Sequence, residues 1–342
     1  REYMKTKIFF SIGFVILGSV LVSVFLSLHK GPNKTKEIPF TVVLDWTPNT
    51  NHTGLYVALA KGWYKAAGLA VTILPYSSST SPDVLVSNGK ADVGVGATEG
   101  ILADAATGSP VVSIAAILAH NTSGFIALSD SGITRPRDFD GKIYGGGGTP
   151  TETAIVSAII KKDGGKGDFK NVSLDVEAMQ ALETKKVDFV WVFEGWEVIQ
   201  AKRQGYKVNY FPSLSYGIPD YYTPNLIASP KEIAQKPELL KKFMAATSKG
   251  YAYAVSHPKE SAQILIAAAP KGTFPDPNFV IASQQFLSTK YADPGKPWGV
   301  QTAEGWHDYP QFLLNAGAIL DANGKPVKSL DLDTLYTNKF VQ

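Results

Sequence analysis

The run Asp45-Trp46-Thr47-Pro48-Asn49-Thr50-Asn51-His52-Thr53-Gly54-Leu55-Tyr56 sets a carboxylate, an indole, two amides, an imidazole and a phenol close together. It follows the apolar stretch 40–44 and precedes a helical pattern, so it reads as a strand-to-helix turn. Side chains and free helix N–H groups can converge there on one small, flat, polar molecule. Trp46 either offers a face for stacking or closes the core. Asn49, Asn51 and His52 either meet a ligand or cap the helix that starts near Thr53. Asp45 and Tyr56 complete the candidate set from this turn.

Three other constellations could face the same molecule. In Trp191-Val192-Phe193-Glu194-Gly195-Trp196, at the end of an apolar strand, Glu194 can accept from both an exocyclic amine and a ring N–H. Alternatively, Glu194 or Glu197 only stabilises the next helix start. Glu99, after the strand 92–95, faces the ligand or caps a helix. In Gly145-Gly146-Gly147-Gly148-Thr149-Pro150-Thr151-Glu152, Thr149, Pro150 and Glu152 form a capping box. The glycines leave N–H groups open to an acceptor, with Gly147 and Thr149 as candidates, but the Lys-Ser/Thr of a phosphate loop and the dinucleotide spacing are missing. Tyr216, Asp220 and Tyr222 belong to an aromatic-acidic loop held by Pro219 and Pro224.

Composition narrows the chemistry. With no cysteine there is no disulfide, thiolate site, cysteine nucleophile or lipid-modified cysteine. The five histidines, 29, 52, 120, 257 and 307, lack the G-x-S-x-G, H-E-x-x-H or i,i+4 contexts of hydrolases and zinc sites, so neither a metal nor a cofactor is expected. Lys and Arg total 33 against 30 Asp and Glu, without a like-charge block, which gives nucleic acid no footprint.

These residues need a scaffold, and 44% hydrophobic with 18% charged residues describes a globular one. Strands are expected at 40–44, 70–75, 92–95, 111–118 and 123–128, alternating with helices at about 53–66, 80–88 and 99–107. A second unit follows: strands 142–144, 172–176, 187–192 and 207–211, with helices 150–162, 178–184 and 194–204. From strand 225–228 onward come helices 231–235, 237–256, 258–267, 277–289 and 302–316. The alternation predicts an α/β fold of two lobes joined by two crossing strands, lobe 1 from 39–128 and 225–342, lobe 2 from 129–224. Ahead of it, 8–28 is apolar and uncharged behind Arg1, Lys5 and Lys7, which predicts an uncleaved N-terminal membrane helix, a linker at 29–38 and an extracytoplasmic domain.

Four motifs carry a family resemblance: Leu44 to His52; Ser87-Asn88-Gly89-Lys90-Ala91-Asp92-Val93-Gly94; Tyr216 to Pro224; and Pro297-Trp298-Gly299 followed by Glu304-Gly305-Trp306. The chain resembles the periplasmic-type solute-binding proteins of ABC importers, in the branch for thiamine pyrimidine precursors that is related to the fungal pyrimidine synthase. That resemblance implies a type II periplasmic-binding-protein fold that closes by hinge motion on a small heterocycle and delivers it to permease and ATPase subunits. An aminopyrimidine is the first expectation and riboflavin the alternative. The fungal enzyme carries a lysine and a histidine where this chain has Gly96 and Gly100, and cysteines where it has Pro219 to Pro224. Those departures speak against a synthase.

Overall fold

The computed structural model describes residues 36–174 and 178–341. The chain begins with β1 (Ile38–Val43), α1 (Thr53–Ala60), α2 (Trp63–Ala66), β2 (Leu69–Leu74), α3 (Pro82–Ser87), β3 (Val93–Gly96), α4 (Thr98–Thr107), β4 (Val112–Ala116) and β5 (Ser123–Leu128). It continues with β6 (Ile143–Gly146), α5 (Pro150–Lys162), β7 (Lys170–Ser173), α6 (Ala178–Glu183), β8 (Phe189–Phe193), α7 (Ile199–Arg203), β9 (Val208–Pro212) and β10 (Asn225–Ala228). Five helices close it: α8 (Pro230–Gln235), α9 (Pro237–Ser256), α10 (Pro258–Ala268), α11 (Pro277–Leu287) and α12 (Ala303–Asn315).

The strands form two five-stranded sheets, ordered β2-β1-β3-β10-β4 and β7-β6-β8-β5-β9. β10 runs antiparallel between β3 and β4, while β5 runs antiparallel between β8 and β9. One strand departs from the expected partition. Ser123–Leu128, assigned by sequence to lobe 1, pairs wholly in the second sheet. The passage between sheets therefore lies at 117–122 and the return at 213–224. The apolar run alone could not reveal this, because sheet membership depends on partners far along the chain.

Helix starts follow local chemistry. Pro occupies the first turn of α3, α5, α8, α9, α10 and α11, where its missing N–H costs no hydrogen bond. The helix expected over 53–66 breaks in two because Gly62 takes φ +71, a conformation that costs a residue with Cβ. The helix expected over 194–204 opens instead with a π turn, Glu194–Val198, ahead of α7.

Apolar side chains of α9 recur at Leu240, Phe243, Met244, Tyr251 and Ala254, all buried against the first sheet's core. Phe243 stacks on Phe40 at 4.7 Å and on Tyr64 at 5.3 Å. In the second sheet Phe139 and Phe189 stack at 4.0 Å beside Phe125 and Tyr144. Both sheets belong to one unit that begins at Ile38. Among the described residues, no helix is long and apolar enough to cross a membrane; the apolar stretch 8–28 lies outside them.

Candidate functional site

β1 ends at Val43, and the chain turns through a short 3₁₀ helix, Thr50–His52, before α1. Asn49 caps that turn: its Oδ1 accepts from the Asn51 N–H at 2.9 Å, and its Nδ2 donates to the Thr47 carbonyl at 3.1 Å. The Asn49 N–H donates to His52 Nδ1 at 3.2 Å. With Nδ1 accepting, the ring proton sits on Nε2, which meets Asp45 Oδ1 at 2.8 Å. His52 is fully buried, and its Nε2 contact orients Asp45. Trp46 stays 50% exposed and leans on Tyr76 with ring centroids 4.9 Å apart.

Opposite this turn stands the π turn of the second sheet. Between them is a cavity of ≈ 290 Å³, walled on one side by Asp45, Trp46, Asn49 and Asn51 and on the other by Gly195, Trp196 and Glu197. Thr122, Thr223 and Pro224, from the two passages between sheets, close its back; the Thr223–Pro224 peptide bond is cis. Trp196 packs edge-on against Phe279 at 4.5 Å. Glu197 Oε2 accepts from the Phe193 N–H at 2.9 Å, which fixes the carboxylate at the cavity wall. Asn51 Oδ1 is sealed from solvent with no hydrogen-bond partner. A stranded acceptor of this kind costs about 1–3 kcal/mol until something donates to it.

The remaining sequence candidates lie elsewhere. Tyr56 is packed into the core around β1 and α9. Trp191 lies against Phe125 at 5.6 Å. Glu194, named from sequence as the ligand's carboxylate, does not line the cavity and sits near Tyr210, whose hydroxyl is pushed up by burial and by this charge. The wider π turn brings Glu197 forward in its place. Glu99 accepts from the Tyr309 hydroxyl at 2.5 Å, beneath the Tyr221–Tyr309 ring stack at 3.6 Å. Burial raises the Glu99 carboxyl, and the Tyr309 hydrogen bond offsets part of that.

The glycine turn is satisfied from within. Glu152 Oε1 accepts from the Gly147 N–H at 3.0 Å and the Tyr144 hydroxyl at 3.1 Å, and its Oε2 accepts from the Thr149 N–H at 2.9 Å. The N–H groups expected to be open are occupied by the chain's own capping carboxylate. Tyr216 packs beside the aromatic cluster of the second sheet. Tyr222 accepts from the Thr302 N–H at 2.8 Å and packs against α12, away from the cavity.

Asp220 ties the two passages together. Its Oδ1 accepts from the Asn121 N–H at 2.9 Å, and its Oδ2 meets His120 Nδ1 at 2.5 Å. His120 Nε2 reaches Asp293 Oδ1 at 2.9 Å, so both ring nitrogens face carboxylates. Burial lowers this imidazole's pKa, but the bonds to Asp220 and Asp293 outweigh it and leave the group raised. On α4, burial and the adjacent Asp83 hold the Asp104 carboxyl up at about 7.

Both groups give stability with the same sign against pH. Asp104, raised above its unfolded value near ~4, stabilises while protonated and loses that contribution as pH climbs toward about 7. His120 contributes fully below its unfolded value of about 6.5 and loses it as pH passes its raised value. The melting temperature is therefore expected to fall from about pH 5 to pH 8. In thermal melts, Asp104→Asn should flatten the lower part of that slope and His120→Gln the upper part; a melting temperature rising over this range would contradict both assignments.

Comparison with known proteins places the geometry in context. The chain is 29% identical over 277 residues, 80% of this chain and 83% of the relative, to a formylaminopyrimidine-binding protein of Halalkalibacterium halodurans. It is 26% identical over 321 residues, 88% and 92% of the two chains, to a 4-amino-5-hydroxymethyl-2-methylpyrimidine phosphate synthase of Legionella pneumophila. In fold it matches the periplasmic aliphatic sulphonate binding protein of Escherichia coli with a TM-score of 0.64 at 15% identity, covering 85% of this chain and 90% of that one. The model of the NMT1/THI5 like family matches residues 49–261, more than half of the sequence, across both the turn that follows β1 and the π turn that faces it. The chain belongs to that family.

Proposed function

We propose that this chain is the extracytoplasmic solute-binding component of an ABC importer, and that it holds a thiamine-precursor aminopyrimidine between the turn 45–52 and the π turn 194–198. One observation carries the reading: acceptors and indoles converge on a single cavity. Asn49 and Asn51 bring amides to its wall, Asp45 and Glu197 add carboxylates, and Trp46 and Trp196 add flat apolar faces. An aminopyrimidine supplies the complement, a thin aromatic ring with N–H donors on its edge. The formylaminopyrimidine-binding relative supports the same class of ligand. None of the relatives named above is a flavin-binding protein, so riboflavin stays the weaker choice.

In this reading the two sheets belong to two lobes that close by bending at 117–122 and 213–224. Delivery requires a permease and an ATPase, and the stretch 8–28 would tether the domain to the membrane. Binding without chemistry is preferred over synthesis, although the Legionella relative is named a synthase. At Gly96 a Cβ would come within 3.0 Å of the Ile227 side chain and 3.2 Å of that of Asp83, so a larger residue there would be tightly packed.

Thermal melting of the purified chain with formylaminopyrimidine, hydroxymethylpyrimidine, riboflavin and pyridoxal phosphate tests the proposal. At about 100 times its Kd the correct ligand adds roughly 2.7 kcal/mol, a shift of several degrees. A pyrimidine should give that shift and be recovered unchanged. A shift with riboflavin alone, or conversion of the bound compound, would replace this reading.

A further inference from the structure

A second chamber opens beside the first cavity, and its volume is the larger of the two, ≈ 500 Å³ against ≈ 290 Å³. The two share Trp46, Trp196 and Glu197 as a common wall. Beyond that wall the chamber is lined by Met179 of α6 and by Phe274 and Phe279 near the start of α11. Trp196 contacts both phenyl rings edge-on, with centroids 6.4 and 4.5 Å away, so its position is fixed by packing. Trp46, on the shared rim, leaves half of its indole uncovered. Uncovered aromatic surface beside a cavity is what a bound ring would bury.

The polar groups of the chamber define what can enter. Among the described residues, Arg203 is the one cationic side chain on its wall, and both its Nε and Nη2 donate to Asp276 Oδ2, at 3.2 and 3.0 Å. Glu183 is a further carboxylate on the same wall. An anion would meet carboxylates and a guanidinium already engaged, whereas a neutral or cationic ring would meet aromatic faces and acidic neighbours.

We propose that the two chambers hold one molecule, an aminopyrimidine in the first and a neutral or cationic planar group, joined to it by a short linker, in the second. The ligand class is then a two-ring aminopyrimidine without a phosphate. The inference rests on the pyrimidine reading above and specifies it further.

Calorimetric titration of the purified chain with three probes tests it. Hydroxymethylpyrimidine fills the first chamber only, thiamine adds a cationic thiazolium on a methylene linker, and thiamine monophosphate adds an anion to that. Thiamine should bind about 10-fold more tightly than the single ring, the size expected from burying and stacking one further ring. The monophosphate should lose most of that gain. Gln200→Trp, which places an indole in the second chamber from α7, should abolish the thiamine advantage while changing single-ring affinity less than about 2-fold. Retained single-ring binding reports that the variant is folded; Phe274→Ala, which strips the chamber's aromatic wall, should reduce the advantage in the same way. Equal or weaker binding of thiamine by the unaltered protein, or equal losses for both probes in the variants, would overturn the second chamber and leave the pyrimidine reading standing. Absence of binding by every pyrimidine would overturn both.

Discussion

Gly250→Ala is expected to remove a large part of the folding stability. On α9, Gly250 lies against Gly54 of α1, and a Cβ placed there would fall on the Gly54 carbonyl. A Cβ on Gly54 would in turn fall inside the Tyr251 ring, whose hydroxyl donates to the Asn51 carbonyl at 2.6 Å. The two helices touch through bare backbone. Since backbone must retreat, the cost belongs at or above the upper end of overpacking, about 3 kcal/mol. Alanine's better helix propensity returns only about 1 kcal/mol. Against a total of roughly 5–15 kcal/mol the net loss is large, and thermal melting should show a drop of several degrees. Val255→Ala, at a half-exposed position of the same helix, serves as the control and should be nearly neutral. If Gly250→Ala melts with the unaltered protein, α1 and α9 do not approach this closely. Displacement of α1 would also move Asn51, so ligand affinity should fall with stability in this variant.

Asn51→Leu should separate those two quantities. In the free protein, Asn51 Oδ1 is a buried acceptor without a donor, so replacing it with an apolar group of similar size removes a penalty. The free variant should melt at the same temperature or higher. With an aminopyrimidine bound, the same replacement removes an amide from the cavity wall, and affinity should fall by about 1–3 kcal/mol, roughly 5- to 150-fold in Kd. Titration calorimetry and melting of the free protein read the two effects independently. Unchanged Kd would take Asn51 out of the site; a lower melting temperature with unchanged Kd would make its amide purely structural.

The sequence conveyed the alternation of strands and helices because each element carries its own period and its own punctuation. Pro at helix starts and the Thr149–Glu152 box are local signals, and the helices they mark begin where expected. The turn 45–52 was legible as a cluster for the same reason: its residues adjoin in sequence. What eluded the sequence depends on three-dimensional neighbours. Nothing within Ser123–Leu128 says that its partners are Phe193 and Val208 rather than a strand of the first sheet.

Choosing between Glu194 and Glu197 needed the π turn, whose extra residue per turn shifts which side chain faces inward. The capping box was visible, yet its consequence, that Glu152 fills the glycine turn, requires the Tyr144 and Gly147 contacts as well. Thr122 belongs to no motif, and Thr223, though it lies within Tyr216 to Pro224, offers no chemistry that singles it out. They line the cavity only because both passages between sheets run behind it.

The place of β10 bears on how such a chain can be assembled. It is inserted between β3 and β4, so those two strands have a gap between them until residues 225–228 have been synthesised. A nascent chain that has emerged only as far as β9 displays two unpaired strand borders from its first half, each a template for adhesion to another copy. Long-range insertion of this kind is slow relative to local structure. The first sheet therefore cannot close until residue 228 has emerged, whereas the second, whose strands all lie between 123 and 212, can be complete before it.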